Sequence, residues 1–212
     1  MKTTTENRVR RIIIHKSDPR YAPLRALTLS SAKLWNVALD RTRSSYQING
    51  KTISFPELDR ELILENNEAY RELPAKVSKM VLRDYDAAMK SFFGLLALKR
   101  AGEYKRRVNL PGRAKEYAGR AITFGKQSIN NGSRGTSFKI GLPGDKVELD
   151  AGIPKADVQF VRVVPRCGHV VVEVGVQVEI LIGVAKSTDQ VAFVDPGMNN
   201  VMTVTSNVFS PL

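Results

Sequence analysis

The sequence predicts an α+β protein in which a helical segment interrupts a β-rich fold. Three observations support this. A single β-branched strand opens the chain at residues 8–16, and helical periodicity then extends from about residue 23 to residue 99. Short β-type runs separated by Gly, Asn and Pro turns follow residue 120. Because serial antiparallel strands with such turns are typical of small barrels, we expect an antiparallel β barrel that the opening strand joins.

Length and composition are those of an ordinary globular protein. The 212 residues are 42% hydrophobic and 25% charged, enough to bury a core in one or two domains. No apolar run approaches the roughly 20 residues of a membrane span, and the first residues lack the apolar centre of a secretory signal. The single cysteine, Cys167, excludes an internal disulfide and a cysteine-based zinc cluster. We expect a cytoplasmic protein without a membrane partner.

The charge balance is the most informative feature of the composition. Lys and Arg number 33 against 21 Asp and Glu, which gives a net charge of +12 and an isoelectric point near 10.0. A chain this basic favours a polyanionic partner, because neutralising phosphates releases condensed counterions. No amphipathic basic segment typical of a membrane anchor is evident, so we expect the partner to be nucleic acid.

Helical periodicity predicts three helices in the inserted region. The first covers about residues 23–46 and ends at an Asn-Gly turn signal. The second covers residues 55–68. The stretch 57–72 holds six acidic residues against two Arg, and we expect it to be a solvated face. Pro74 opens the third helix, whose apolar stripe extends to about residue 99 and predicts core packing.

Basic residues concentrate after the third helix. From residue 99 to residue 126 there are nine Lys and Arg against two Glu, and Gly and Pro break any long helix there. Tyr104 and Tyr117 lie among these charges and can stack on bases. A basic loop can simply increase the solubility of a protein. Because the whole chain carries a net charge of +12, we expect this loop to bind phosphate. The candidate nucleic-acid-binding residues are Arg8, Arg10 and Arg11 on the opening strand, Lys76, Lys79, Arg83 and Lys90 on the polar face of the third helix, and Lys99, Arg100, Tyr104, Lys105, Arg106, Arg107, Arg113 and Lys115 in the basic stretch.

One carboxylate late in the sequence has the setting of a catalytic residue. Residues 191–206 read VAFVDPGMNNVMTVTS, in which an apolar run delivers Asp195 into a Pro-Gly turn and a second β-type run returns. Nucleases of the RNase H type also begin with strand, carboxylate, turn and strand, and such an Asp can hold a divalent metal. Asp-x-Gly is also common at ordinary hairpin turns. We expect structural or solvated roles for His15, His169, Cys167 and Asp189.

Five segments of the sequence, taken in their order along the chain, resemble those of a known family. They are the opening strand RVRRIIIHK, the helical LWNVALDRTRSSY, the helix LPAKVSKMVLRDYDAAMKSFF, the β-rich run ending VVVEVGVQVE and the stretch VAFVDPGMNNVMTV. Together they resemble the TnpB family encoded by insertion sequences, which is related to the type V CRISPR effectors. The last segment is similar to that family's first RuvC motif, Gly-Ile-Asp-x-Gly-x-x-Asn, with Pro196 where the family often has Leu. The similarity covers nearly the whole chain.

The resemblance implies a domain plan and a chemistry. A wedge-type β barrel at residues 1–18 and 118–185 would carry an inserted helical recognition lobe at 19–117, and residues 186–212 would begin a RuvC/RNase H-like domain. That family binds a transposon-encoded guide RNA and cleaves target DNA that pairs with it. Asp195 matches the first catalytic carboxylate, a ligand of the two Mg²⁺ ions. The family's later Glu, last Asp and zinc ribbon would lie beyond Leu212, so Mg²⁺ is expected only in a completed RuvC site and no zinc site within this chain.

Two readings of the function remain open at this point. The chain is the N-terminal part of an RNA-guided DNA endonuclease, inactive until a longer or second chain supplies the remaining RuvC portion. Alternatively, it is a nuclease-inactive RNA-binding or RNA-guided DNA-binding module, such as a repressor or a transposon remnant. The ending TSNVFSPL favours truncation. The ordered motifs argue against a ribosome-like basic RNA binder. In either reading the chain would be nucleoid-associated when bound to DNA.

Overall fold

The computed structural model is that of an α+β protein. Its backbone is described for residues 2–142, 144–182, 192–195 and 203–206, and its side chains for residues 4–142 and 144–179. These residues form four α-helices and antiparallel sheets, so the predicted α+β class is confirmed. The chain divides into two compact units, Asn7–Val178 and Met1–Glu6 with Glu179–Leu212. No helix in the described ranges is long and apolar enough to span a membrane.

The helices follow the first strand and precede the others, as predicted. Strand β1 is Lys2–His15, and the helices are α1 (Tyr21–Asn49), α2 (Phe55–Leu64), α3 (Glu68–Arg71) and α4 (Ala75–Arg100). The later strands are β2 (Ile122–Gly125), β3 (Asn130–Asn131), β4 (Ser137–Leu142), β5 (Asp145–Asp150), β6 (Val158–Arg166), β7 (His169–Ile182), β8 (Ala192–Asp195) and β9 (Thr203–Ser206). Short 3-10 turns lie at Glu116–Ala118, Lys126–Ser128 and Lys155–Asp157.

The strands form three sheets in the described residues. The largest has the order β1-β7-β6-β2, so the opening strand joins the later strands as predicted. Strands β3, β4 and β5 form a second sheet, and β8 pairs with β9. The closed barrel that the sequence predicted does not form among the described residues. Strands β1 and β2 are the two edges of the four-stranded sheet and do not pair with each other, and the β3-β4-β5 sheet is separate from it.

The core joins α1 and α4 to the β structure. The two helices pack on each other, and α4 also packs on β2. The Trp35 and Tyr85 rings meet edge to face between them, with centroids 5.1 Å apart, a geometry that aromatic pairs prefer. Alternate residues of β7 face the core, since Val170, Val172, Val174 and Val176 are buried.

Left-handed residues set two of the helix boundaries. Helix α1 ends at Gly50, whose φ of 65° suits glycine and whose N–H closes the last turn. The predicted helix over residues 55–68 is wrong in its extent, because Asn66 adopts a φ of 56° and divides the run into α2 and α3. Asn67 then caps α3 by accepting the Tyr70 N–H at 3.2 Å through Oδ1.

One carboxylate fixes the connection between β3 and β4. Glu148 Oε1 accepts hydrogen bonds from the Ser133 and Ser137 hydroxyls, each at 2.6 Å, and from the Ser133 amide. These bonds hold the pKa of Glu148 at about 2, below its ordinary value of 4.5. Gly132 makes room for them, since a Cβ at that position would lie 2.1 Å from Ser137 Oγ.

We predict that Glu148→Gln lowers the melting temperature at neutral pH. A depressed carboxylate pKa stabilises the folded state above pH 4.5, and this stabilisation is lost as the pH falls from there towards 2. The difference between the two proteins should therefore shrink over that window, which thermal unfolding followed by circular dichroism will measure. Asp145→Asn, at an exposed carboxylate of the same strand, is the control and should show no such convergence. A difference that persists unchanged at pH 2 would contradict the prediction.

Candidate nucleic-acid interface

Five exposed cations lie at the end of α4 and in the segment that follows it. We call residues 99–107 the basic segment; its cations are Lys99, Arg100, Lys105, Arg106 and Arg107. None of these side chains makes an ion pair or a hydrogen bond with the residues that the structure describes. Glu103 lies in the same segment and is also exposed. The cations are therefore available to phosphate without first breaking a contact with the described protein.

The basic segment begins where α4 ends. Gly102 takes a left-handed φ of 81°, and the Glu103 N–H donates to Leu98 O at 3.0 Å, which turns the chain away from the helix axis. Lys99 and Arg100 in the last turn complement the partial negative charge of the helix C-terminus. From residue 104 to residue 115 the chain has no regular secondary structure. Its position must therefore be fixed by side chains of other elements.

Helix α1 holds the chain that follows the basic segment. Asn36, only 2% exposed, bonds the backbone of Ala114 in both directions. Its Nδ2 donates to Ala114 O at 3.0 Å, and its Oδ1 accepts from Ala114 N at 2.8 Å. Nδ2 also donates to Glu116 Oε1 at 3.0 Å, and Trp35 Nε1 donates to Gly112 O at 3.0 Å. We call these hydrogen bonds the α1 clamp.

Two arginines reinforce the clamp without facing a ligand. The Arg25 guanidinium donates to Ala118 O at 2.6 Å. The Arg120 guanidinium lies over the Trp35 ring, 3.4 Å from its centroid, which is a close cation–π contact. Burial lowers the pKa of Arg120, and the nearby Asp84 carboxylate opposes that change. Both arginines thus serve the protein's own structure.

Four of the predicted binding cations have a carboxylate partner. The pairs and their N···O distances are Arg11 with Glu173 (3.4 Å), Lys79 with Asp59 (3.2 Å), Lys90 with Asp86 (2.7 Å) and Arg113 with Asp40 (2.8 Å). The four basic side chains are at least 42% exposed, so each pair contributes about 0–1 kcal/mol to stability. A phosphate would have to compete with these carboxylates. The paired cations are therefore weaker candidates than those of the basic segment.

The other predicted residues have varied surroundings. Lys76 Nζ donates to Gln127 Oε1 at 3.0 Å, and the Arg83 guanidinium lies 5.3 Å from the centre of the Phe55 ring. Lys115 is exposed and has no ion pair with the described residues. Tyr104 is half-buried within the basic segment. Arg8, Arg10 and Arg11 lie exposed on β1, an element separate from that segment.

The acidic stretch of α2 and α3 is more than the solvated face that the sequence predicted. Three of its six carboxylates form ion pairs with cations of α1 or α4. The pairs are Asp59 with Lys79, Glu65 with Arg41 and Glu72 with Lys33. This stretch therefore neutralises part of the positive charge on α1 and α4, whereas the cations of the basic segment are not neutralised in this way.

Asp195 ends strand β8, as its sequence setting predicts. Strands β8 and β9 pair antiparallel, with Asp195 opposite Thr203. The two predicted β-type runs are thus confirmed as strands at residues 192–195 and 203–206, and the turn predicted between them lies outside the described residues. The side chains of Asp195 and Asp189 lie outside the described residues, so the roles assigned to them stay predictions.

No metal-binding cluster is present among the described side chains. No three of their His, Cys, Asp and Glu residues are placed to hold an ion together. A two-metal nuclease site needs several carboxylates around both ions, and Asp195 alone does not supply that set.

The His15 and His169 rings, far apart in sequence, lie 5.9 Å apart where β1 ends and β7 begins.

Sequence reasoning missed the residues that position the interface. Asn36 lies in LWNVALDRTRSSY, the segment that carries part of the TnpB resemblance, and an Asn inside an apolar helical stripe was a usable signal of a buried hydrogen-bonding role. Arg25 and Arg120 offered no signal beyond their charge, because their partners are backbone carbonyls and an aromatic ring distant in sequence.

We predict that Asn36→Ala destabilises the protein by roughly 1–3 kcal/mol, because the Ala114 amide and carbonyl lose their partner. Urea unfolding will measure the loss, and hydrogen exchange should show faster exchange of the residues around 114. Asn49→Ala is the matched control, since Asn49 is exposed on the same helix and has no side-chain hydrogen bond among the described residues. Equal stability and exchange in both variants would refute the role of the clamp.

No protein-family model matches the chain, and no curated protein matches it.

Proposed function

We propose that this chain binds nucleic acid through the basic segment, as the N-terminal part of a TnpB-like RNA-guided DNA endonuclease. One observation carries the proposal. Five exposed cations within nine residues have no carboxylate partner among the described residues, while several cations elsewhere on the helices do. The backbone that the α1 clamp holds begins at Gly112, a short way after the last of these cations.

The physical chemistry of the basic segment suits a phosphate backbone. Each Lys or Arg that neutralises a phosphate releases condensed counterions, and this gain does not depend on base sequence. The segment contains no Asn or Gln, and its Lys and Arg can neutralise phosphates of any base sequence. In RNA-guided systems the guide reads the sequence by base pairing, and the protein grips the heteroduplex by its backbone. A basic segment that can contact the phosphate backbone suits that task.

The finer fold assignment belongs to the same proposal. We infer that the sheet containing β1, β7, β6 and β2 corresponds to a wedge-type domain, and that α1 to α4 form the recognition lobe inserted into it. The β8-β9 hairpin would be the start of a RuvC-like domain. The position of Asp195 at the end of β8 supports this assignment. When further carboxylates complete the site, Mg²⁺ would supply an activated water and stabilise the leaving oxygen.

We predict that neutralising Lys105, Arg106 and Arg107 together, each to Gln, weakens binding of an RNA–DNA heteroduplex. Each lost phosphate contact should reduce the slope of log K against log salt by about 0.7–0.9, so the triple variant should lose about 2–3 in slope. Fluorescence anisotropy at several salt concentrations gives both the affinity and the slope.

The control neutralises three cations that already have carboxylate partners. Lys79, Lys90 and Arg113, each changed to Gln, remove the same charge from ion-paired positions. This variant should lose less affinity and less slope than the change in the basic segment. Equal losses in the two variants would mean that total charge, and not the basic segment, determines binding.

A further prediction concerns Asp195. Asp195→Ala should leave RNA binding unchanged and abolish DNA cleavage in an enzyme completed with the remaining RuvC portion, because the site loses a carboxylate that holds Mg²⁺. Asp189→Ala, six residues earlier, is the control and should retain cleavage. A completed enzyme that still cuts with Ala at 195 would rule out the catalytic assignment. Binding without cleavage in the unmutated completed chain would favour the nuclease-inactive module.

A further inference from the structure

A cavity of about 420 Å³ lies between α1 and α4, beside the basic segment. This volume falls within the roughly 300–1,000 Å³ typical of ligand pockets. Much of its wall is apolar or aromatic: Tyr46, Met89, Phe92, Phe93, Leu96 and Leu110. Tyr46 is 60% exposed, Phe93 43% and Leu110 39%, so the aromatic wall is open to a ligand from solvent.

Two cationic side chains line the same cavity. Arg43 of α1 and Arg100 of α4 both line it, and both side chains are exposed. Neither forms an ion pair or a side-chain hydrogen bond with the described residues. An apolar pocket carrying two unpaired guanidinium groups suits a ligand that has both a flat apolar part and an anionic part.

One buried hydroxyl in the wall lacks a partner. Tyr85 is 2% exposed, and its Oη makes no hydrogen bond. Burial raises the pKa of Tyr85. Thr42 also lines the cavity, and its nearby hydroxyl opposes the rise in the pKa of Tyr85. The Thr42 hydroxyl donates to Ala38 O at 2.9 Å, however, and makes no hydrogen bond of acceptable geometry with Tyr85. An unsatisfied buried hydroxyl costs free energy unless something completes it, and a ligand atom is one way to do so.

We propose that this cavity takes one unpaired nucleotide of the bound nucleic acid. The base lies against the aromatic wall, where every base can stack because each has a π-face. Its phosphate contacts Arg43 and Arg100, and the Tyr85 hydroxyl, which is itself buried, can meet a polar atom of the base or sugar once the wall side chains shift. The site is continuous with the basic segment, because Arg100 belongs to both and Leu110 follows shortly after. The inference rests on the function proposed above.

Fluorescence of 2-aminopurine tests the proposal on the whole chain. The probes are an RNA–DNA heteroduplex with one unpaired 2-aminopurine, its fully paired counterpart, and free 2-aminopurine riboside 5′-monophosphate. Excitation beyond the tryptophan absorption band reports stacking of the base, while anisotropy of a dye at the duplex end reports overall binding. We expect the wild-type chain to quench the unpaired probe and to leave the paired probe nearly unchanged.

The blocking variant is Ala97→Trp, which places a large side chain at a position that lines the cavity. We expect it to weaken insertion of the unpaired base about tenfold or more, the loss of roughly one stacked base, with unchanged affinity and salt slope for the fully paired duplex. The matched control is Ala87→Trp on the same helix, at an exposed position outside the cavity. It should behave as the wild type. Circular dichroism of both variants confirms that α4 remains folded.

Tyr85→Phe separates binding from folding. The ring and its contact with Trp35 are kept, and only the unpartnered hydroxyl is removed. A hydroxyl that serves the ligand predicts weaker quenching with no fall in the melting temperature. A hydroxyl that serves only the fold predicts unchanged quenching, which would remove Tyr85 from the site.

The outcomes distinguish this inference from the proposed function. Duplex binding without quenching, or quenching that both Trp variants retain, overturns the cavity assignment and leaves the basic segment in place. No duplex binding at all overturns the proposed function. Quenching of the free monophosphate that Ala97→Trp abolishes would then support the nucleotide chemistry of the cavity, with a free nucleotide as the source.

Discussion

The hydrogen bonds of Asn36 are the constraint on which the proposed interface depends. Residues 104–115 have no regular secondary structure, so their backbone polar groups cannot be satisfied by a ladder or a helix of their own. Asn36 meets this need at Ala114, as a strand partner would, by donating to the carbonyl and accepting from the amide. The chain is thereby tied to α1 through backbone atoms. Arg113 adds an ion pair with Asp40 of the same helix, whereas the cations of the basic segment take no part in holding the chain and remain exposed.

The distribution of charge follows from the way the acidic helices pack. Carboxylates of α2 and α3 reach cations on α1 and α4, as in the pair of Asp59 with Lys79. Each such pair contributes little to stability, but together the pairs reduce the positive potential around α1 and α4. The basic segment follows the last helix and has no acidic element packed on it in the described residues. The five cations of the basic segment thus keep their positive charge.

Much of the fold was predictable from the sequence, because hydrophobic periodicity is a local property. The helical stripe before Arg100 and the alternating valines of β7 needed no knowledge of distant residues. Three features were not predictable in this way. The break at Asn66 depends on one left-handed residue, the open sheet depends on the pairing of strands distant in sequence, and the Asn36 hydrogen bonds join residues 78 positions apart. Composition identified the basic stretch, but which cations lack carboxylate partners depends on tertiary packing.

Cross-linking is the most direct test of the central claim, that the basic segment contacts nucleic acid. An RNA–DNA heteroduplex carrying 4-thiouridine in its RNA strand would be irradiated with the chain, digested and mapped by mass spectrometry. The proposed interface predicts that cross-linked peptides concentrate in residues 99–115. Cross-links that concentrate instead on β1 or on the ion-paired face of α4, with none in the basic segment, would contradict it.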